Sequence, residues 1–389
     1  MDKKNKLLTF VFLAAGVPAA LASDFDAVIS QGLSSGYGLS ADSLRLEAEA
    51  ASVRAENVLE GPEAEFEHLW ATKGSETRWS AGVSQSFDWP GVYGARRRQA
   101  SALGAAARAV SRSVAMDRAL EIKMKILDLI NARQRLRFFE EVEADVARID
   151  SLTRRAFELE AVTVLDVRKT GLALVDCRRE TAGARATVSA LEYALISLGV
   201  QAGEWTEYPD QGELAPPTPP EQMPEYLAAR AREEAARASL GVIKSNSLPG
   251  FSLGFNHAYE DGRHFNGLSI GLRLPSWSRK DRVRSAELEA RALADESDSG
   301  LAQAFAEEAA SRHNVATLHE ALEEYRGLSD DNSYLPLLRR AYDGGQLTVI
   351  DYIQEINLFR QNRLNFIDLD YQYQTALARA NRYRSPYFR

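Results

Sequence analysis

Cysteine is nearly absent from this chain of 389 residues. The single thiol, Cys177, falls in a predicted helix, which excludes an intrachain disulfide and a cysteine-ligated metal site, and no cysteine follows the N-terminal segment to accept a lipid. Histidine is scarce too: His68, His257, His264, His313 and His319 are the whole set. His313 and His319 are six apart, a spacing that does not place them together on a helix face, so solvated helix residues rather than metal ligands are expected there. Positive charge is in deficit. A formal net charge of -8 and the lack of a basic patch exclude nucleic acid as a partner, because binding it requires phosphates to be neutralised. Also missing are a Gly-rich phosphate loop, a G-x-S-x-G elbow and an H-E-x-x-H helix, and Gly36-Tyr37-Gly38 has no flanking strand and helix. The many carboxylates fall mostly beside Arg or Lys on helix faces, where a solvated surface explains them. No enzymatic chemistry and no cofactor are expected.

Beyond the N-terminus no apolar run is long enough for a transmembrane helix. At the N-terminus Lys3, Lys4 and Lys6 precede an apolar run from Leu7 to Val17 and then Ala20-Leu21-Ala22, the three parts of a secretory signal peptide over residues 1–22. The run is shorter than the roughly 20 residues that span a bilayer, so export with cleavage is expected rather than anchoring.

What the chain does contain is a duplication. Arg154-Arg155-Ala156-Phe157-Glu158 and Thr163-Val164-Leu165-Asp166 return as Arg339-Arg340-Ala341-Tyr342-Asp343 and Thr348-Val349-Ile350-Asp351 at a constant offset of 185. Arg45, Glu47, Ala48 and Pro62 recur as Arg232, Glu234, Ala235 and Pro249 at an offset of 187, and Ser80-Ala81-Gly82 as Ser269-Ile270-Gly271 at 189. A period this long exceeds any solenoid repeat and marks two similar halves. The reading divides the chain into residues 1–22 (signal), 23–202 (first repeat), 203–222 (linker) and 223–389 (second repeat).

Each half reads as helix, strand pair, long helix, return helix. Ser40 to Glu60 has helical character and stops at Gly61-Pro62. From Gly94 to Glu160 there is no proline, and Phe139, Val142, Val146, Ile149, Leu152, Ala156 and Leu159 recur at spacings of three and four, predicting one amphipathic rod on the order of 100 Å. A helix from Thr163 to Leu198 follows, and then an extended linker with the Pro216-Pro217-Thr218-Pro219-Pro220 run. The second half repeats the order with helices over 223–244, 279–328 and 348–383, with one break before Pro336.

Between the helices lie strands of about ten residues with strict alternation. Phe251, Leu253, Phe255, His257 and Tyr259 form one face against Ser252, Gly254, Asn256 and Ala258, and Leu268, Ile270 and Leu272 oppose Gly267, Ser269 and Gly271. In the first half Trp79, Ala81 and Val83 oppose Ser80, Gly82 and Ser84, while Trp70, Trp89, Tyr259, Phe265 and Trp277 lie towards strand ends. That pattern suits outer-membrane barrel strands, and equally a small soluble sheet with one wet face; export and the lack of a second covering sheet favour the barrel. Four strands cannot close a barrel, so several copies must pool them.

Asp166 and Asp351 occupy equivalent turns where the rods end, and two readings stay open for them. They either cap helix N-termini after Thr163 and Thr348, or form a replicated carboxylate ring that gates a pore.

The chain resembles the TolC-like outer-membrane efflux protein family over nearly its whole mature length. The resemblance is carried by 249–255, by 267–275 and by Ala341-Tyr342-Asp343-Gly344-Gly345-Gln346-Leu347-Thr348-Val349-Ile350-Asp351-Tyr352, in this order and with the duplication. It implies a mainly α fold, with a long α-helical barrel and four strands per chain in a trimeric 12-stranded outer-membrane β-barrel. It also implies a passive homotrimeric duct seated in outer-membrane lipid and extending through the periplasm to a periplasmic adaptor and an inner-membrane pump. By position Asp351 matches the first acid of the family's tip gate, whereas Gln354 stands where the second falls; Gly345 and Leu347 match the turn that adaptors contact. Residues 43–50 and 61–66 are most similar to the heavy-metal cation branch. Insertion of the barrel, without a lipid anchor, is expected to hold the protein. A helical periplasmic adaptor or scaffold is the alternative, and it would need β-rich domains outside the helices. Because Gly344-Gly345-Gln346 replaces Leu159-Glu160-Ala161, the second turn is expected to bend more freely than the first.

Overall fold

The structure, a computed structural model, describes residues 25–35, 57–70, 77–260, 262–274, 279–329 and 334–384, and single positions at 44, 45, 48, 51, 52, 54, 55 and 72. The expected signal segment 1–22 lies outside the described residues, as do Asp261 of the expected hairpin turn, Trp277, and much of the expected helix over 40–60; the positions of that helix that are described up to Ala55 are helical.

The elements are α1 (Phe25–Ser35), β1 (Glu63–Trp70), β2 (Thr77–Phe87), α2 (Pro90–Glu158), α3 (Val164–Ser197), α4 (Pro224–Ser245), β3 (Gly250–Glu260), β4 (Arg263–Arg273), α5 (Arg279–Ser329), α6 (Tyr334–Asp343) and α7 (Val349–Ala380). The α2 helix starts four residues earlier than the pattern predicts. Pro90 takes its first turn, where a missing N–H costs nothing, and neither Gly91 nor Gly94 interrupts it. It then runs unbroken for 69 residues, about 100 Å. The short α1 was not foreseen, since its stability comes from packing rather than periodicity. Ile29 is buried against α2, and a side chain on Gly32 would collide with Val200 and Ile122, so glycine lets α1 sit close.

The four strands form one antiparallel sheet in sequence order, β1-β2-β3-β4, with both edges unpaired among the described residues. Its register places Phe66, Ala81, His257 and Asn266 in one cross-strand row, and Val83, Phe255 and Leu268 in another on the same face. The other face carries Glu65, Gly82, Asn256 and Gly267.

α2, α4 and α5 adjoin one end of this sheet in the chain. At the proximal end α2 packs on α4 and α4 on α5; further out α3 returns beside α2, and α7 returns beside α5 and α2. Two larger apolar clusters hold the bundle, beside a smaller one of Val315, Ala376, Leu377 and Ala380 between α5 and α7. One, near mid-length, centres on Ile122, Ile126, Leu129, Ile130 and Leu195. The other, distal, joins Phe138, Val142, Val146 and Ile149 to Leu335, Leu338, Tyr352 and Ile356.

Residues 203–222, irregular up to a 3-10 turn at Pro220–Gln222, are stitched across the helices at mid-length. Arg133 donates to the carbonyls of Gly203 and Trp205, and Gln134 to that of Thr206 at 3.2 Å. Further along, Gln211 donates to the Gln374 carbonyl at 3.0 Å. Asn381 accepts from Ala215 N at 2.9 Å, and Glu308 accepts from Thr218 N at 2.8 Å. The strap therefore binds α2, α7 and α5 together.

At the distal end the two turns share one backbone. After α2, Glu160 N–H donates to Phe157 O and Ala161 N–H to Ala156 O; after α6, Gly345 N–H donates to Tyr342 O and Gln346 N–H to Ala341 O, each at 2.9 Å. Both are Schellman closures with a left-handed residue, Gly345 at φ 71° and Glu160 at φ 59°. Both turns thus adopt the same closure, and the difference between them is strain. Glu160 bears a Cβ in a conformation that disfavours one. Glu160→Gly is expected to stabilise the first turn by about 1 kcal/mol and Gly345→Ala to destabilise the second by a similar amount, read as opposite shifts in thermal midpoint.

Candidate functional site

Two regions concentrate features that the fold alone does not require: the distal turns and the sheet.

At the turns, Thr163 and Thr348 each cap the helix that follows. Asp166 and Asp351 complete capping boxes, each accepting a hydrogen bond from the threonine N–H, at 3.0 and 3.3 Å, and another from its hydroxyl, at 2.7 and 2.6 Å. The Asp166 carboxyl is held below the usual carboxylate range by the Thr163 hydroxyl and N–H. The capping reading is therefore realised in both halves. Asp351, Gln354 and Leu358 are all exposed along one side of α7. Gly345 is exposed, whereas Leu347 is half-buried and packs on the distal apolar cluster.

Beneath these turns lies a buried polar knot that sequence reasoning missed. Asp145 of α2 is only 2% exposed and Tyr352 of α7 is fully buried. The Tyr352 hydroxyl donates to Asp145 Oδ2, and Arg339 Nε of α6 donates to Asp145 Oδ1 at 2.6 Å. Arg148, one turn along α2, pairs with Asp343 at the end of α6 at 3.1 Å. Burial, and then the hydrogen bond to Asp145, push the Tyr352 phenol far above its ordinary range, so it stays a donor at any physiological pH. One carboxylate on the first half's rod thus holds both helices of the second half's distal pair.

The first half makes a different use of the equivalent arginine. Arg154, the counterpart of Arg339, pairs with Asp150 on its own helix at 2.7 Å, and Thr170 of α3 donates to the other oxygen of Asp150 at 2.9 Å. Burial would raise the Asp150 carboxyl, but these partners outweigh it and hold it low. The α2–α3 pair is further tied by Arg185 to Glu140 and by Arg133 to Glu192, both at 2.7 Å.

In the sheet, the residues expected to meet lipid share one face. Trp79 stacks on Phe66 and Tyr259, with ring centres 6.3 and 6.2 Å apart, and Phe251 stacks on Phe87 at 5.4 Å. Leu253, Phe255, Leu268, Ile270 and Leu272 are exposed, Leu268 by 87% and Ile270 by 80%. Among the described residues nothing covers this face. A contiguous exposed apolar surface of this extent marks contact with lipid or a partner. Among the described residues no helix is long and apolar enough to cross a membrane, a finding that bears on helices and not on strands. No group of three or more potential metal ligands was found among the described residues.

Open-edged strands with an apolar face, standing on one helix about 100 Å long and its shorter neighbours, define a mainly α fold that ends in a single four-stranded sheet. No protein-family model matches the chain, and no characterised protein matches it by sequence. Solved structures do match. A membrane protein from Pseudomonas aeruginosa superposes with a TM-score of 0.76 at 19% identity, covering 92% of this chain and 93% of that one. The outer membrane protein VceC from Vibrio cholerae gives 0.74 at 16%, covering 94% and 97%. CusC, described in terms of folding and transmembrane channel formation, gives 0.74 at 16%, covering 92% and 91%. The chain has the fold of the TolC-like outer-membrane channels.

Proposed function

We propose that this protein is the outer-membrane channel of a tripartite efflux or secretion system, a passive homotrimeric duct that extends from the outer membrane into the periplasm. The observation that carries the reading is the exposed apolar face of a sheet with two open edges. Three copies would pool four strands each into a closed barrel and satisfy every edge, and the shared fold supports that arrangement. Energy and cargo choice then belong to an inner-membrane pump coupled through a periplasmic adaptor. The adaptor alternative loses support, because the described strands form a single four-stranded sheet and no separate β-rich domain.

In this reading the distal turns form the closed periplasmic end. Gly345 and Leu347 lie where an adaptor would engage, and Asp351, Gln354 and Asp166 would ring the opening. The heavy-metal branch rests on residues 43–50 and 61–66; a neighbouring cation pump with its adaptor supports it, and a neighbouring drug pump overturns it.

Membrane fractionation followed by native mass spectrometry tests the duct. Detergent-requiring outer-membrane trimers are expected, and a soluble monomer would sink the proposal. For the gate, Asp351→Ala is expected to raise planar-bilayer conductance while weakening the α7 cap by about 1 kcal/mol. Unchanged conductance leaves Asp351 with capping alone.

A further inference from the structure

We propose that His257 and His264, at the far end of the sheet from the helices, form a two-imidazole site for a divalent transition-metal ion. The site does not depend on the export reading. The two residues occupy diagonal positions of the β3–β4 ladder, in which His257 pairs with Asn266 and Tyr259 with His264. His257 Nε2 and His264 Nδ1 face each other at 3.2 Å. Two nitrogens bound to one ion at 2.0–2.1 Å lie roughly 2.9–3.4 Å apart for bond angles between 90° and tetrahedral, so this separation suits a shared metal without moving either strand.

The tautomer suits it as well. Asn266 Oδ1 lies 2.7 Å from His257 Nδ1, which places the proton on Nδ1 and leaves Nε2 as a bare lone pair aimed at the gap. A partner on the non-ligating nitrogen is how metal-binding histidines are commonly oriented. The rings are held further by Trp79, 5.4 Å from His257, and Tyr259, 5.0 Å from His264. The ladder directs Arg78, Glu260 and Arg263 to the opposite face, so no cation from this row competes at the imidazole side. No third acid, thiol or imidazole completes a cluster among the described residues; the pair shares the apolar face but lies at its margin, His264 second in β4 and His257 fourth from the end of β3, where water would fill the remaining coordination positions. Imidazole nitrogen with open positions suits Cu²⁺ best, then Ni²⁺ or Zn²⁺. In the absence of metal the same gap is closed by one N–H···N hydrogen bond.

The test uses purified full-length protein in detergent, with any purification tag removed, titrated with Cu²⁺ by calorimetry and examined by electron paramagnetic resonance. One ion per protomer is expected, with hyperfine coupling to two imidazole nitrogens. His257→Ala and His264→Ala should each weaken binding at least tenfold, and Asn266→Ala about tenfold through loss of ring orientation. His68→Ala and His313→Ala should leave it unchanged. The oligomeric state of each variant, checked in parallel, separates loss of the site from loss of the fold. No Cu²⁺ binding by the unaltered protein, equal binding by the His257→Ala/His264→Ala double variant, or a spectrum without nitrogen coupling overturns the proposal.

Discussion

Asp145→Ala is expected to raise the open probability of the reconstituted channel by at least tenfold, and Tyr352→Phe by about tenfold or more. A contact shifts a conformational balance only if it differs between the states, and the Asp145 knot is a buried contact through which α2 grips both α6 and α7 at once. Removing the carboxylate takes a charge-assisted acceptor from Arg339 and from a buried phenol. Breaking a fully buried ion pair costs about 3–5 kcal/mol, but Arg339 is partly solvated, so roughly 2–3 kcal/mol is the better figure. Losing the tyrosine hydroxyl alone forfeits about 1.5–3 kcal/mol, and each 1.4 kcal/mol is a factor of ten. Asp145→Asn retains the shape and removes the charge, which separates the ion pair from packing. If none of the three variants changes conductance, the knot is only a structural bolt.

Leu268→Arg is expected to abolish trimer assembly in the membrane. Leu268 is 87% exposed near the middle of an edge strand, on the apolar face. An arginine facing lipid near the bilayer midplane costs about 2–4 kcal/mol, and a trimer carries the penalty once per chain. The adjacent Gly267→Lys supplies the contrast. It lies on the opposite face, and a Cβ added there meets nothing within 4 Å, so trimers should form and only the charge on that face should change. Equal yields of the two variants would mean that the apolar face does not meet lipid.

Much of the architecture was legible because it rests on periodicity, which a single sequence displays. The rods, the return helices and the sheet faces emerged close to their observed limits, and the duplicated Thr-x-x-Asp pairs identified both caps. The knot did not emerge, and the reason is physical. Asp145 looks like any other helix carboxylate until its register is followed. It lies between Val142 and Val146, on the stripe that Ile149 continues, where a charge needs a distant partner, and those partners come from α6 and α7. A carboxylate inside an apolar stripe is the signal that was available. Nor could the repeat reveal it, since Arg154 and Arg339 are the same residue at equivalent positions and only the fold sends one to its own helix and the other across the bundle.

The strap at mid-length turns the distal bundle into a lever. Arg133 of α2 lies under it, while the helix continues to Glu158, roughly 38 Å at 1.5 Å per residue. A rotation of about 5° at that fulcrum carries the tip on the order of 3 Å, comparable to the reach of one hydrogen bond in the Asp145 knot. Movement too small to disturb the packing under the strap is therefore enough to part the contacts at the far end, so the proximal helices and the sheet above them can stay still while the tip moves.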